Sequence, residues 1–252
     1  MAGMEIWQIA VALAVTLFAG FVKGAVGFAM PMIMLSSFAS FLPAELALAL
    51  LILPTLVTNI LQASRQGIGA AWGSIRSYRI FIAMIVLFIP ISAGFVQTVP
   101  QGVMYGLLGG PIVAFALWQL SGKPLILPMH HRRLTEGGLG VIGGLYGGIS
   151  GIWGPPLIVY LLSIEAPKQE AVRIQGVVFL IGAIILAGAH LVSGVLNAQT
   201  IPLSALMVAP ALLGQRLGFA AQDRLDPVMF RRLTLILLAI AGANLVRRAL
   251  MG

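Results

Sequence analysis

The chain has 252 residues, of which 60% are hydrophobic and 9% charged, and its net charge is +8. A soluble domain runs near half apolar with about a quarter of its residues charged, so these values exclude a soluble globular domain, a disordered chain and a coiled coil. They point to an all-α polytopic membrane protein, since a bilayer core requires apolar stretches of about 20 residues. A transmembrane barrel would alternate apolar and polar residues, and these stretches are apolar throughout.

Ten apolar segments follow along the chain: 6–22, 25–41, 43–63, 77–98, 102–120, 137–148, 150–164, 171–194, 201–219 and 229–249. Those starting at 43, 77, 102, 171 and 229 are long enough to span. Segment 137–148, at about 1.5 Å per residue, falls short of a core about 30 Å thick. It should dip in and return, or form half of a broken helix. The opening Met-Ala-Gly-Met-Glu has no basic n-region, so the first segment is expected to be retained rather than cleaved. The longest polar loop is Ser121–Glu136, with Lys123, His130, His131, Arg132 and Arg133. Two adjacent histidines without cysteine or nearby acids do not make a metal site, and no metal or other cofactor is expected. The basic residues lie in loops between apolar runs, which assigns them to cytoplasmic loops rather than to nucleic-acid binding.

The chain repeats itself. Residues 20–31 read GFVKGAVGFAMP and residues 144–155 read GLYGGISGIWGP. Gly20, Gly24, Gly27 and Pro31 match Gly144, Gly148, Gly151 and Pro155 at an offset of 124, which Pro43 and Pro167 keep. The chain therefore divides into a first transmembrane repeat (1–122), a basic cytoplasmic loop (123–136) and a second repeat (137–252). Loop charge inverts between the copies. The loop with Arg65, Arg76 and Arg79 is basic and its counterpart 194–200 is uncharged; loop 97–101 is uncharged and its counterpart holds Arg224, Arg231 and Arg232 beside Asp223 and Asp226. That pattern marks an inverted-topology repeat. Arg247 and Arg248 disagree with it.

Each repeat opens with a Gly-rich helical hairpin. Glycine permits the irregular turn, and a proline near the next helix start costs little there. Backbone N–H groups and the positive helix end at two facing tips would make an anion site. Lys23 lies beside the first tip within an apolar run, where a lysine costs about 2.5–3.5 kcal/mol unless it lines a cavity or finds a partner. The candidate substrate-binding set is Lys23, Gly24, Gly27, Gly148, Ser150, Gly151, Trp153, Arg173 and Gln175. Small residues at four-residue spacing also serve close helix packing, which is the competing account of the glycines. The remaining polar residues of apolar segments, Thr55, Thr58, Asn59, Gln62 and His190 among them, read mostly as interhelical contacts. The acidic residues fall at segment ends or in loops, which disfavours a cation pocket built on buried acids.

The paired Gly-x-x-x-Gly-x-x-Gly-x-x-x-Pro blocks, Gly20–Pro31 and Gly144–Pro155, resemble the TauE/SafE family of sulfite exporters over essentially the whole chain. Phe28, Ala29 and Met30 stand where family members often carry a richer run of glycines. The resemblance implies a multi-pass carrier of the bacterial inner membrane that exports small sulfur-containing anions such as sulfite or organosulfonates, and not an enzyme. Its partners would be the anion and the lipid bilayer, with no nucleic acid; a homo-oligomer stays open. Two other readings stand beside it. Gly148-Ile149-Ser150-Gly151 with His190 suggests an intramembrane serine protease, although the first repeat has Val26 where the second has Ser150. An anion channel or membrane scaffold is the other.

Overall fold

A computed structural model describes residues 4–64, 67–123, 125–221 and 227–251. Twelve helices are described: α1 (Ile6–Val26), α2 (Met30–Phe38), α3 (Ala44–Ser64), α4 (Ile68–Ser77), α5 (Arg79–Ala93), α6 (Gln101–Leu120), α7 (Arg132–Ser150), α8 (Gly154–Ser163), α9 (Lys168–Val192), α10 (Thr200–Leu206), α11 (Val208–Ala221) and α12 (Pro227–Met251). Among the described residues, six stretches are long and apolar enough to cross a membrane: Ile6–Ala25, Ala44–Ser64, Gln101–Leu120, Arg173–Val192, Thr200–Ala221 and Thr234–Met251. The protein is thus an all-α, multi-span membrane protein. Helices prevail because lipid offers the backbone no partners, so each segment must satisfy its own.

Several boundaries differ from the hydropathy reading. α7 begins at Arg132, inside the stretch taken as loop, and runs for 19 residues, about 28 Å at 1.5 Å each. Its first turns are polar in composition but not in surroundings. Glu136 is buried, accepting the Phe81 N–H at 3.1 Å and the Tyr160 hydroxyl at 2.9 Å. Arg132 Nε donates to the same hydroxyl at 3.3 Å. Hydropathy cannot register partners that arrive from other helices. The segment read as 77–98 is helical only from Arg79 to Ala93, and the short helix α4 precedes it. Asp223, Arg224 and Asp226 of the expected basic loop lie outside the described residues.

The tightest packing falls between particular helix pairs. α1 lies along α11, and α7 along α5. Both pairs are parallel. Gly20 meets Ala211 while Gly24 meets Gln215 and Gly218; Gly140 meets Phe81 and Met84 while Gly148 meets Ile89 and Ala93. α3 packs on α9, and α6 on α12. On α1, α7 and α11 glycines recur every fourth residue on the contact face, so the backbones approach closely and dispersion contacts hold the helices together in lipid. Arg247 and Arg248, which run against the loop-charge pattern, both have partners. Arg247 Nη2 donates to Asn244 Oδ1 at 2.9 Å, and the Arg248 guanidinium donates to the Ala39 carbonyl and lies 4.3 Å from the centre of the Tyr105 ring. Arg248 thereby binds a carbonyl at the C-terminus of α2, where a cation is favoured.

Candidate functional site

Two backbone breaks build the site. α1 ends at Gly27, whose φ of 86° is left-handed, and its N–H bonds the Lys23 carbonyl at 2.8 Å. α7 ends the same way at Gly151, with φ of 70° and its N–H on the Gly147 carbonyl at 2.7 Å. The left-handed turn reverses the chain, and glycine adopts it without Cβ strain. α2 then starts at Met30 with Pro31 second, and α8 at Gly154 with Pro155 and Pro156 next. Proline fits there, but each one removes an N–H from the first turn. The second tip therefore offers fewer donors than a helix start of ordinary composition.

Both tips line one small central cavity, with about 30 Å³ open to the centre of a water molecule, room for a water or two. It lies against the middle of α3 and α9, at Thr55, Asn59 and Phe179. Its walls come in pairs 124 residues apart: Phe28 with Ile152, Ala29 with Trp153, Pro31 with Pro155, and Thr55 with Phe179. The polar side chains all come from the first half of the chain. Lys23, Thr55 and Asn59 correspond at that offset to Gly147, Phe179 and Ala183. The first half supplies the cationic and hydrogen-bonding side chains, and the second half supplies Trp153 and Phe179.

Lys23 is only 2% exposed. Its Nζ donates to Thr58 Oγ1 at 2.9 Å and to Asn59 Oδ1. Asn59 in turn donates through Nδ2 to the Phe179 carbonyl at 2.9 Å, which ties α1, α3 and α9 together at the cavity. Gln62 Nε2 donates to the Gly27 carbonyl at 3.1 Å and steadies the first tip. Among the described residues no carboxylate pairs with Lys23, and the Thr55 hydroxyl has no partner. A buried cation without a counter-ion, next to an unpaired hydroxyl, is chemistry that an anion completes.

The other sequence candidates separate. Gly151 and Trp153 line the cavity, and Gly27 shapes the first tip. Gly24 and Gly148 do not line it: a Cβ on Gly24 would strike Gln215 and Gly218, and one on Gly148 would strike Ser92 and Ile89. They are helix contacts. Arg173 and Gln175 do not line the cavity either. Arg173 lies six residues before Phe179 on α9, about 9 Å along the axis, and its Nε donates to Ser74 Oγ at 2.9 Å. Ser150 donates to the Tyr146 carbonyl at 2.6 Å and accepts the Ile152 N–H at 3.1 Å, holding the second tip. His190 is engaged elsewhere, Nε2 with the Gly148 carbonyl at 2.8 Å and Nδ1 with Ser193 Oγ at 3.1 Å. The serine and histidine thus each spend their bonds on structural partners, not on one another as a protease pair requires. Among the described residues no group of three His, Cys, Asp or Glu could hold a metal ion.

Sequence reasoning does not single out Phe28 or Phe179 as site residues, and it assigns Thr55 and Asn59 to interhelical contacts. The 124-residue offset, which relates Phe28 to Ile152 and Thr55 to Phe179, is the signal that could have found three of these four. No curated protein and no solved structure matches the chain. The family model described as sulfite exporter TauE/SafE matches residues 12–245. With both glycine hairpins inside that match and six membrane-length apolar helices, the chain belongs to the sulfite exporter TauE/SafE family of membrane transporters.

Proposed function

We propose that the protein is a carrier of the bacterial inner membrane that exports small sulfur-containing anions, sulfite or an organosulfonate, by alternating access. One observation carries this reading: the buried Lys23 ammonium has no carboxylate partner among the described residues and borders the cavity that both hairpin tips line. The anion would accept from Lys23 and Thr55, beside the first turn of α2. Trp153 and Phe179, whose ring centres are 6.4 Å apart, would wall the opposite side and exclude water. In the proposed binding set Thr55 and Asn59 replace Gly24, Gly148, Ser150, Arg173 and Gln175.

The two halves are inverted repeats in this reading, and the site lies near the membrane midplane on their pseudo-twofold axis. Three observations support that. The cavity walls pair at a constant offset. α1 packs on α11 as α7 packs on α5, with the same parallel sense. Loop charge inverts between the halves. Rocking one half against the other would open the cavity to each side in turn.

The test is the melting temperature of purified protein against sulfite, sulfate, thiosulfate, sulfoacetate, taurine, acetate and chloride. A ligand bound only by the folded state raises it by mass action. A selective rise with a sulfur oxyanion or sulfonate, abolished in Lys23→Ala, is the expected result. Equal rises with all the anions, or a rise that survives Lys23→Ala, would sink the assignment of the site.

A further inference from the structure

The two halves differ sharply at one pair of positions behind the central cavity. In the first half Lys23 Nζ reaches from α1 to Thr58 Oγ1 on α3, at 2.9 Å. The residues 124 positions further on are Gly147 of α7 and Gly182 of α9, so no side chain bridges that gap in the second half. The Trp153 indole fills it instead. A Cβ on Gly147 would come within 3.0 Å of Cε3, and one on Gly182 within 2.7 Å of Cε2 and 2.9 Å of Cζ2. Carbon atoms settle about 3.5–4.0 Å apart, so neither position has room for a methyl group. The counterpart of Trp153 is Ala29, whose methyl group leaves the matching space of the first half to the lysine.

The indole is thereby held by backbone on two sides, α7 along its Cε3 edge and α9 along Cε2 and Cζ2. Phe179, one turn before Gly182 on α9, meets it edge to face with ring centres 6.4 Å apart. Both rings line the cavity, while Gly147 and Gly182 do not. A long flexible side chain could swing aside for a ligand. A ring wedged between two helix backbones yields only if a helix moves, and packed interiors resist that. The depth of the glycine seat therefore sets how much of the cavity the ring leaves open.

We propose that Gly147 and Gly182 are positioning residues that seat the Trp153 indole as the size limit of the central site, which accepts compact oxyanions and rejects those with longer tails. The proposal rests on the central cavity being the anion site. It divides recognition between the halves. Lys23 and its partners recognise charge, and the seated ring measures length. The open volume of about 30 Å³ is small enough for such a limit to act on single carbon atoms. In a pocket of fixed shape one methylene changes discrimination by about 10–200-fold.

The test is a double-mutant cycle on the whole protein in detergent, with wild type, Gly182→Ala, Trp153→Phe and the double variant. Affinities for sulfite, methanesulfonate, ethanesulfonate and propanesulfonate are read from the melting shift of each variant against itself without ligand, so differences in stability cancel. The three sulfonates share one head and one charge and differ by a methylene each. Wild-type affinity should fall along the series, by at least about tenfold at the first tail that does not fit. Trp153→Phe, with its smaller ring, should move that fall to a longer tail. Gly182→Ala pushes the indole into the cavity and should move it to a shorter one, and the double variant should return it toward the wild-type position. Trp153→Phe carries the test by itself if Gly182→Ala does not fold. A fall at the same tail in Trp153→Phe as in wild type would overturn the proposal. So would a Gly182→Ala effect that Trp153→Phe does not rescue, because the glycine would then act on the helices and not through the ring. No shift with any of these anions in wild type would remove the anion site itself, and the size limit with it.

Discussion

Replacing Gly148 by alanine should destabilise the protein through one identifiable contact. The added Cβ would overlap Ser92 Oγ and the Ile89 carbonyl oxygen and come within 2.9 Å of Ala93 N. Two of those atoms are backbone, so α7 must move off α5 rather than a side chain swing aside. Overpacking of this kind costs about 1–3 kcal/mol. The movement also stretches the His190 bond to the Gly148 carbonyl, now 2.8 Å, for about 0.5–1.5 kcal/mol more. Alanine's better helix propensity returns about 1 kcal/mol. The net loss is about 2 kcal/mol, which lowers Tm by about 4–8 °C in a chain of this size. Gly110→Ala on α6 is the control, because its Cβ would meet nothing within 4 Å. The assay is a melting curve of the three proteins in one detergent. If Gly148→Ala melts with Gly110→Ala, the close approach of α7 and α5 is not what Gly148 provides, and the reasoning fails.

Three further outcomes follow from the site. Lys23→Met removes an ammonium that costs about 2.5–3.5 kcal/mol in the bilayer and leaves Asn59 Oδ1 short of a donor for about 1–3 kcal/mol, so melting should hardly move. Anion affinity, read from the ligand-dependent melting shift, should fall about 10–100-fold with the loss of a charged hydrogen bond, and wild-type affinity would remove Lys23 from the site. Ala29 sits at φ 78°, where a side chain costs about 1–2 kcal/mol; Ala29→Gly relieves that against a glycine penalty of about 0.5–1 kcal/mol, so Tm should rise slightly, and a drop would contradict the strain assigned to the first tip. Ser150→Ala should leave transport in proteoliposomes intact while losing about 1–2 kcal/mol from the freed Ile152 N–H, and a fluorophosphonate probe should not label Ser150; labelling would revive a nucleophile.

Much of the membrane architecture is legible from composition alone. An apolar run near 20 residues has one stable form in lipid, so α3, α6, α9 and α12 stand close to where the sequence places them. The paired glycine blocks locate both left-handed turns, because Gly27 and Gly151 must tolerate a backbone that other residues resist. They also carry the family resemblance that the match over residues 12–245 bears out. Lys23 stands out as an expensive residue in an apolar run, and the structure puts it on the cavity.

What the sequence leaves open depends on which helices meet. Gly24 and Gly27 share one motif, yet one packs on α11 and the other turns the chain, since only the neighbour's backbone distinguishes a contact from a turn. Arg173 and Lys23 are both basic residues in apolar helices, but the helices that pack beside them give one Ser74 and the other Asn59 as its partner. Glu136 reads as a loop acid until Phe81 and Tyr160 supply its partners. Periodicity and composition fix what each segment must bury. The depth, direction and partner of each polar group are set by contacts between residues far apart in the chain, and those exist only once the helices have packed.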